Sequence, residues 1–98
     1  MEKIKIEFQY FENCPNHEAM RQNLIEAIKG IEDKIELTEV KVENEEVARR
    51  VSFRGSPTIL INGKDLIDMP APENPKLACR FYPGGIPSPE EIRKKIGS

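Results

Sequence analysis

The sequence is short of the residues that define several functional classes. Its 98 residues include no tryptophan, one histidine and only two cysteines. Two cysteines cannot supply the four thiolates of an iron–sulfur cluster, and we expect no cofactor. Fifteen lysines and arginines oppose 17 aspartates and glutamates, so the net charge is only -2. The basic excess typical of nucleic-acid-binding proteins is missing, and we expect no nucleic-acid partner.

Long hydrophobic runs are missing as well. No apolar stretch approaches the roughly 18 residues of a membrane span. The first five residues, MEKIK, alternate charged and aliphatic side chains and contain no apolar core of a secretory signal. We therefore expect a cytoplasmic protein with no membrane partner, whose cysteines are reduced and available for thiol chemistry.

What the sequence does contain is a clear succession of hydrophobic periods, which predicts one α/β domain over residues 1–98. Strands show a period of two and helices show spacings of three and four. The predicted elements are a strand over 3–10, a helix from Pro15 to about Gly30, a strand over 35–42, a short helix over 43–53, two strands around an Asn62-Gly63 turn, and a helix after Ser88.

Two stretches depart from this regularity. The alternation of the second strand slips between Leu37 and Val40, which predicts a bulge or an early end of the strand. Six of the eight prolines fall between Met69 and Pro89. Residues 69–87 are therefore predicted to form a long irregular loop, and such loops are usually functional or disordered.

The order β-α-β-α-β-β-α sets the type of sheet. A strand–helix–strand unit makes two parallel strands, and the Asn62-Gly63 hairpin adds an antiparallel pair. This predicts a four-stranded mixed sheet. A ferredoxin-like fold needs the order β-α-β-β-α-β, so the predicted order argues against it.

Four short motifs occur in order along the chain: Cys14-Pro15-Asn16-His17, Gly55-Ser56-Pro57-Thr58, Asn62-Gly63-Lys64-Asp65 and Cys79-Arg80-Phe81-Tyr82. Their order and spacing resemble those of a small group of thioredoxin-like bacterial and archaeal proteins, often labelled alkylmercury-lyase-like. The resemblance covers nearly the whole chain and implies a thioredoxin-like three-layer fold.

Cys14 and His17 are the predicted catalytic residues of the first motif. His17 stands where redox thioredoxins carry their second cysteine. With Cys14 as N-cap, Pro15 at the first helical position and His17 at the third, the helix dipole and the imidazole would both favour a thiolate. We expect the pKa of Cys14 to lie below the roughly 8.5 of a free thiol. The alternative is a small capping residue followed by a surface histidine.

The second motif implies a substrate-binding edge. In this superfamily a cis Ser56–Pro57 bond aims the Ser56 backbone at an extended substrate beside the thiol, and Pro15 and Phe11 would complete the rim. Without the resemblance, Pro57 is an ordinary proline at the first residue of a strand, where it removes no ladder hydrogen bond.

Cys79 is the third predicted catalytic residue. The fourth strand returns to the edge where Cys14 lies, so the loop over 69–87 leaves from the active-site edge. We expect Cys79 to approach Cys14 and to replace the missing resolving thiol. The alternative is a buried, small apolar residue. Asp65 and Asp68, on the hairpin arm, are expected to be solvent-exposed rather than a metal site or an acid–base pair.

The leading hypothesis is a thiol–disulfide oxidoreductase that acts on a protein or small-molecule disulfide. A second hypothesis is a receptor for mercury or a similar soft metal, held by Cys14 and Cys79, because thiolates select soft metals. The third is a degenerate thioredoxin domain that serves as an interaction module.

Overall fold

The computed structural model describes residues 3–14, 16–82 and 84–97. Its elements follow the predicted order, and the α/β class is confirmed. Among the described residues, no helix is long and apolar enough to cross a membrane. The elements are β1 (Ile4–Tyr10), α1 (His17–Ile28), a 3-10 turn (Glu32–Lys34), β2 (Ile35–Lys41), α2 (Glu45–Arg50), β3 (Thr58–Ile61), β4 (Lys64–Asp65) and α3 (Pro89–Gly97).

The four strands form one mixed sheet in the order β2-β1-β3-β4. β1 and β2 are parallel, and β3 runs antiparallel to both β1 and β4. The mixed sheet is as predicted. Because β1 lies in the middle and β3 runs against it, the end of β1 and the start of β3 meet at one edge of the sheet.

The prediction of a bulge or an early end in β2 is wrong. β2 pairs with β1 without interruption over seven residues, from Ile35 to Lys41. The apparent slip has another cause. Val40 lies opposite Gln9 and packs on a cluster on the other face of the sheet from Ile35. The hydrophobic residues change face while the backbone keeps its register.

Two apolar clusters stabilise the fold. The larger core packs α1 and α3 on one face of the sheet, with Phe8, Met20 and Ile92 at 0% exposure. The smaller core lies beside α2 and is formed by Val42, Ala48 and Phe53. It lies next to the end of β1 and therefore supports the edge where the predicted site residues meet.

The turns carry the backbone conformations that the sequence predicts. Asn62 and Gly63 have φ angles of 51° and 83°, as a type I′ hairpin requires. At the start of α3, Ser88 and Glu91 form the predicted reciprocal capping box, with backbone-to-side-chain distances of 3.3 and 3.2 Å.

Candidate functional site

Cys14 is positioned by a turn between β1 and α1. Its N–H donates to the Phe11 carbonyl at 3.0 Å, and the residue is fully buried. The helix starts later than predicted: Asn16 is the N-cap, and its carbonyl accepts from the Met20 N–H at 3.1 Å. The predicted N-cap position of Cys14 is therefore wrong, because its N–H closes the preceding turn. The prediction for Pro15 lies outside the described residues.

His17 is the first residue of α1 rather than the third. Its Nδ1 lies 2.6 Å from the Cys14 carbonyl oxygen, and an acceptor there requires Nδ1 to be the protonated nitrogen. The ring stacks on Tyr10, with centroids 5.2 Å apart, and the side chain is only 12% exposed. His17 therefore contacts Cys14 through the backbone of that residue.

Ser56 and Pro57 lie beside Cys14, as predicted. The Ser56–Pro57 bond is cis, and the Ser56 carbonyl oxygen is 3.5 Å from Cys14 Sγ. Ser56 Oγ accepts a hydrogen bond from the Phe11 N–H at 2.9 Å, which joins the end of β1 to the start of β3. The Phe11 side chain packs on the smaller core. Binding of substrate by these residues stays a prediction.

Cys79 reaches Cys14 from 65 residues further along the chain. The two residues form a disulfide with their Cα atoms 5.7 Å apart. Cys79 itself is exposed, so the alternative of a buried apolar residue is wrong. The loop folds back to the edge of the sheet, as the direction of the fourth strand implied.

The residues around Cys79 pair with Ser56 as a short added strand. The Ser56 N–H donates to the Ala78 carbonyl and its carbonyl accepts from the Arg80 N–H, both at 2.8 Å. We call residues 78–80 the docked segment. It engages both backbone groups of Ser56 that were predicted to meet an extended substrate.

A buried ion pair holds the docked segment in place. Arg80 donates to the two carboxylate oxygens of Asp65 at 2.6 and 2.8 Å, and these side chains are 3% and 1% exposed. Asp65 also accepts from the N–H groups of Ile67 and Met69. The predicted solvent exposure of Asp65 is therefore wrong, whereas Asp68 is exposed. Burial alone would raise the pKa of Asp65, but the hydrogen bonds from Arg80 and the backbone outweigh it and lower that pKa.

Tyr82 and Gly55 also help to hold the docked segment in place. Tyr82 Oη donates to the Pro57 carbonyl at 2.7 Å, and the Arg80 guanidinium lies 4.6 Å from the centre of the Tyr82 ring. Burial raises the pKa of Tyr82 to about 12. Gly55 has a φ of 106°, and a Cβ there would lie 2.9 Å from Arg80 Cβ. Only glycine allows the Arg80 backbone this close.

Sequence reasoning missed the structural role of Arg80, Asp65 and Tyr82. A usable signal was present, because two of the four motifs each contain one half of a charge pair, Asp65 and Arg80. Nothing in the hydrophobic pattern indicates that the two halves meet.

Within 3–14, 16–82 and 84–97, no group of three or more histidine, cysteine, aspartate or glutamate side chains is placed to hold a metal ion. In the reduced protein, Cys14 and Cys79 are the pair that a soft metal would meet.

Comparisons with protein families, with curated proteins and with solved structures found no match for this chain.

Proposed function

We propose that this protein is a thiol–disulfide oxidoreductase-like protein that works through the Cys14 and Cys79 pair on protein or small-molecule disulfides. The observation that supports this most is the convergence of three groups from distant parts of the chain. Cys14, Cys79 and the Ser56 backbone lie within bonding or contact distance of one another.

The chemistry of such a pair is a two-electron exchange. The dithiol form reduces a substrate disulfide to two thiols and is itself oxidised to the Cys14–Cys79 disulfide. A thiol reductant then restores the dithiol. Cytosolic disulfides, where they occur, are usually transient and catalytic, which favours this use of the pair if the protein is cytoplasmic, as the sequence leads us to expect.

The proposal includes a thioredoxin-like arrangement of the fold. It is supported by the order β-α-β-α-β-β-α, by the mixed sheet, and by the Ser56 carbonyl oxygen, which lies just before β3 and 3.5 Å from Cys14 Sγ. An experimental structure of the reduced protein tests this part, and cell fractionation tests the cytoplasmic location.

The central experiment measures whether the pair cycles. Intact mass before and after mild oxidation should show a loss of two hydrogens that dithiothreitol reverses, and wild type should reduce a model disulfide repeatedly. The Cys79→Ser variant should lose that turnover. Equal turnover by the variant, or no reversible disulfide in wild type, would contradict the proposal.

A soft-metal receptor is the second candidate, favoured by the two sulfurs meeting at one point. It predicts one mercury ion bound per reduced protein, lost in either cysteine variant, with no turnover of disulfides. If the thiols react with neither disulfides nor mercury, the third hypothesis, an interaction module, is favoured.

A further inference from the structure

We propose that external thiols and disulfides react at the sulfur of Cys79, and that Cys14 serves as the buried partner that only exchanges with Cys79. This inference rests on the proposed function and assigns the two sulfurs within it. It reverses the division expected from the sequence, in which Cys14 attacks the substrate and Cys79 resolves.

The two cysteine residues differ completely in exposure. Cys14 is 0% exposed, and its Sγ is covered by the Ser56 carbonyl oxygen at 3.5 Å. Cys79 is an exposed residue. Thiol–disulfide exchange depends on which sulfur an incoming thiolate can approach. An external thiolate can reach the disulfide at Cys79 and not at Cys14.

Buried neighbours in the same stretch of chain hold Cys79 in a fixed position. Along this stretch burial alternates: Cys79 is exposed, Arg80 is buried, Phe81 is 83% exposed and Tyr82 is buried. Arg80 and Tyr82 anchor the inner side through Asp65 and the Pro57 carbonyl. Cys79 and Phe81 therefore share the solvent side, where a partner would approach.

The exchange balances as follows. In the reducing direction, the Cys79 thiolate attacks a substrate disulfide and one substrate thiolate leaves, which gives a mixed disulfide on Cys79. The Cys14 thiolate then attacks Cys79 Sγ, the second substrate thiolate leaves, and the Cys14–Cys79 disulfide forms. The substrate gains two electrons and takes up two protons from solvent, and the protein dithiol loses them.

The burial of Cys14 is compatible with this role. When a reducing thiolate attacks Cys79, Cys14 is the leaving group, and a thiol of lower pKa leaves faster. In this assignment Cys14 never has to meet the external partner, so its burial does not obstruct the exchange.

The test compares two single-cysteine variants. Cys14→Ser and Cys79→Ser are each reduced and mixed with oxidised glutathione, and the growth of the protein–glutathione mixed disulfide is followed by intact mass. We expect Cys14→Ser to react at least 10-fold faster. A faster reaction of Cys79→Ser would overturn the assignment.

A second measurement uses the wild-type protein and does not depend on how the variants fold. Oxidised wild type is treated briefly with glutathione, the freed thiols are blocked with N-ethylmaleimide, and the modified residues are located by peptide mass. Glutathione on Cys79 and maleimide on Cys14 are expected, and the opposite pattern would overturn the inference. Failure of wild type and both variants to exchange at all would instead overturn the proposed function.

Discussion

The two cysteines reach the same point by different structural means. Cys14 follows a regular strand, and its turn lies between the central strand and a 12-residue helix, both packed on the larger core. Cys79 lies in an irregular stretch and is held by backbone bonds to Ser56 and by the buried Arg80–Asp65 pair. One half of the site depends on apolar burial and the other on a few polar contacts.

This difference predicts where the site is sensitive to substitution. Apolar burial is spread over many side chains, so its loss at one position is partly absorbed by the neighbours. A buried ion pair is concentrated in two residues, and removing one leaves the other charge buried without its partner. Single substitutions should therefore destabilise the contacts that hold Cys79 more than the contacts that position Cys14.

The largest effect is expected from Arg80→Met. This variant leaves the buried Asp65 carboxylate without its charged partner, and we expect the free energy of unfolding of the reduced protein to fall by about 3–5 kcal/mol. Denaturant unfolding measures this value, and amide hydrogen exchange should show release of the docked segment. The exposed Arg50→Met is the matched control and should stay within about 0.5 kcal/mol of wild type.

The double variant Arg80→Met with Asp65→Leu sharpens the same prediction. It removes both charges together, so it should recover part of the loss seen in Arg80→Met. An additive loss in the double variant would show that the two side chains act independently, against the pairing described above.

Gly55→Ala should have the next largest effect. It combines a left-handed φ with a Cβ 2.9 Å from Arg80 Cβ, and we expect a loss of about 2–4 kcal/mol. Gly84→Ala is the control, because Gly84 has a φ of 82° and no atom within 4 Å of its added Cβ. It should show the left-handed penalty alone, about 1–2 kcal/mol. Equal losses in both variants would contradict the close approach of Arg80.

Tyr82→Phe should cost about 1 kcal/mol at neutral pH, because it removes the hydrogen bond to the Pro57 carbonyl. The pKa of Tyr82 is raised to about 12 in the folded protein, against about 10 in the unfolded chain. Tyr82 therefore contributes its full stability below pH 10, and that contribution falls as the pH rises from 10 to 12. Denaturation across this range should show wild type losing its advantage and then becoming less stable than the variant, because a two-unit pKa difference outweighs the lost hydrogen bond; a constant difference would argue against a buried phenol.

The smallest effect is expected from His17→Ala. The imidazole contacts the carbonyl of Cys14 and not its sulfur, so we expect its loss to slow alkylation of the Cys14 thiol near neutral pH by less than about 10-fold. The alkylation rate against pH, measured in the Cys79→Ser background, reports this value. The exposed Asn13→Ala serves as control. Profiles that coincide in both variants would remove His17 from the site.

The sequence predicts the elements that depend on apolar burial better than the polar contacts that hold Cys79. The hydrophobic periods predict the elements and their order, and the turn chemistry of Asn62-Gly63 and Ser88 predicts the backbone there. The start of α1 was misplaced because the Cys14 N–H closes a turn, and a hydrophobic pattern does not report that bond. Asp65 was misread because a charged residue on a hairpin is usually exposed, and its partner Arg80 becomes its neighbour only through the fold of the loop.

The Cys14–Cys79 bond turns about two thirds of the chain into a covalent ring, since the two residues are 65 positions apart in 98. β2, β3 and β4 belong to this ring, while β1 and α3 lie outside it on the two tails. β1 nevertheless lies between β2 and β3 in the sheet, so this tail is hydrogen-bonded on both sides to strands of the ring. A single proteolytic cut inside the ring would leave the two fragments joined by the disulfide. Under denaturing conditions they would separate only after a reductant is added. A denaturing gel of the cut protein would therefore show one band when the disulfide is intact and two bands when it is reduced.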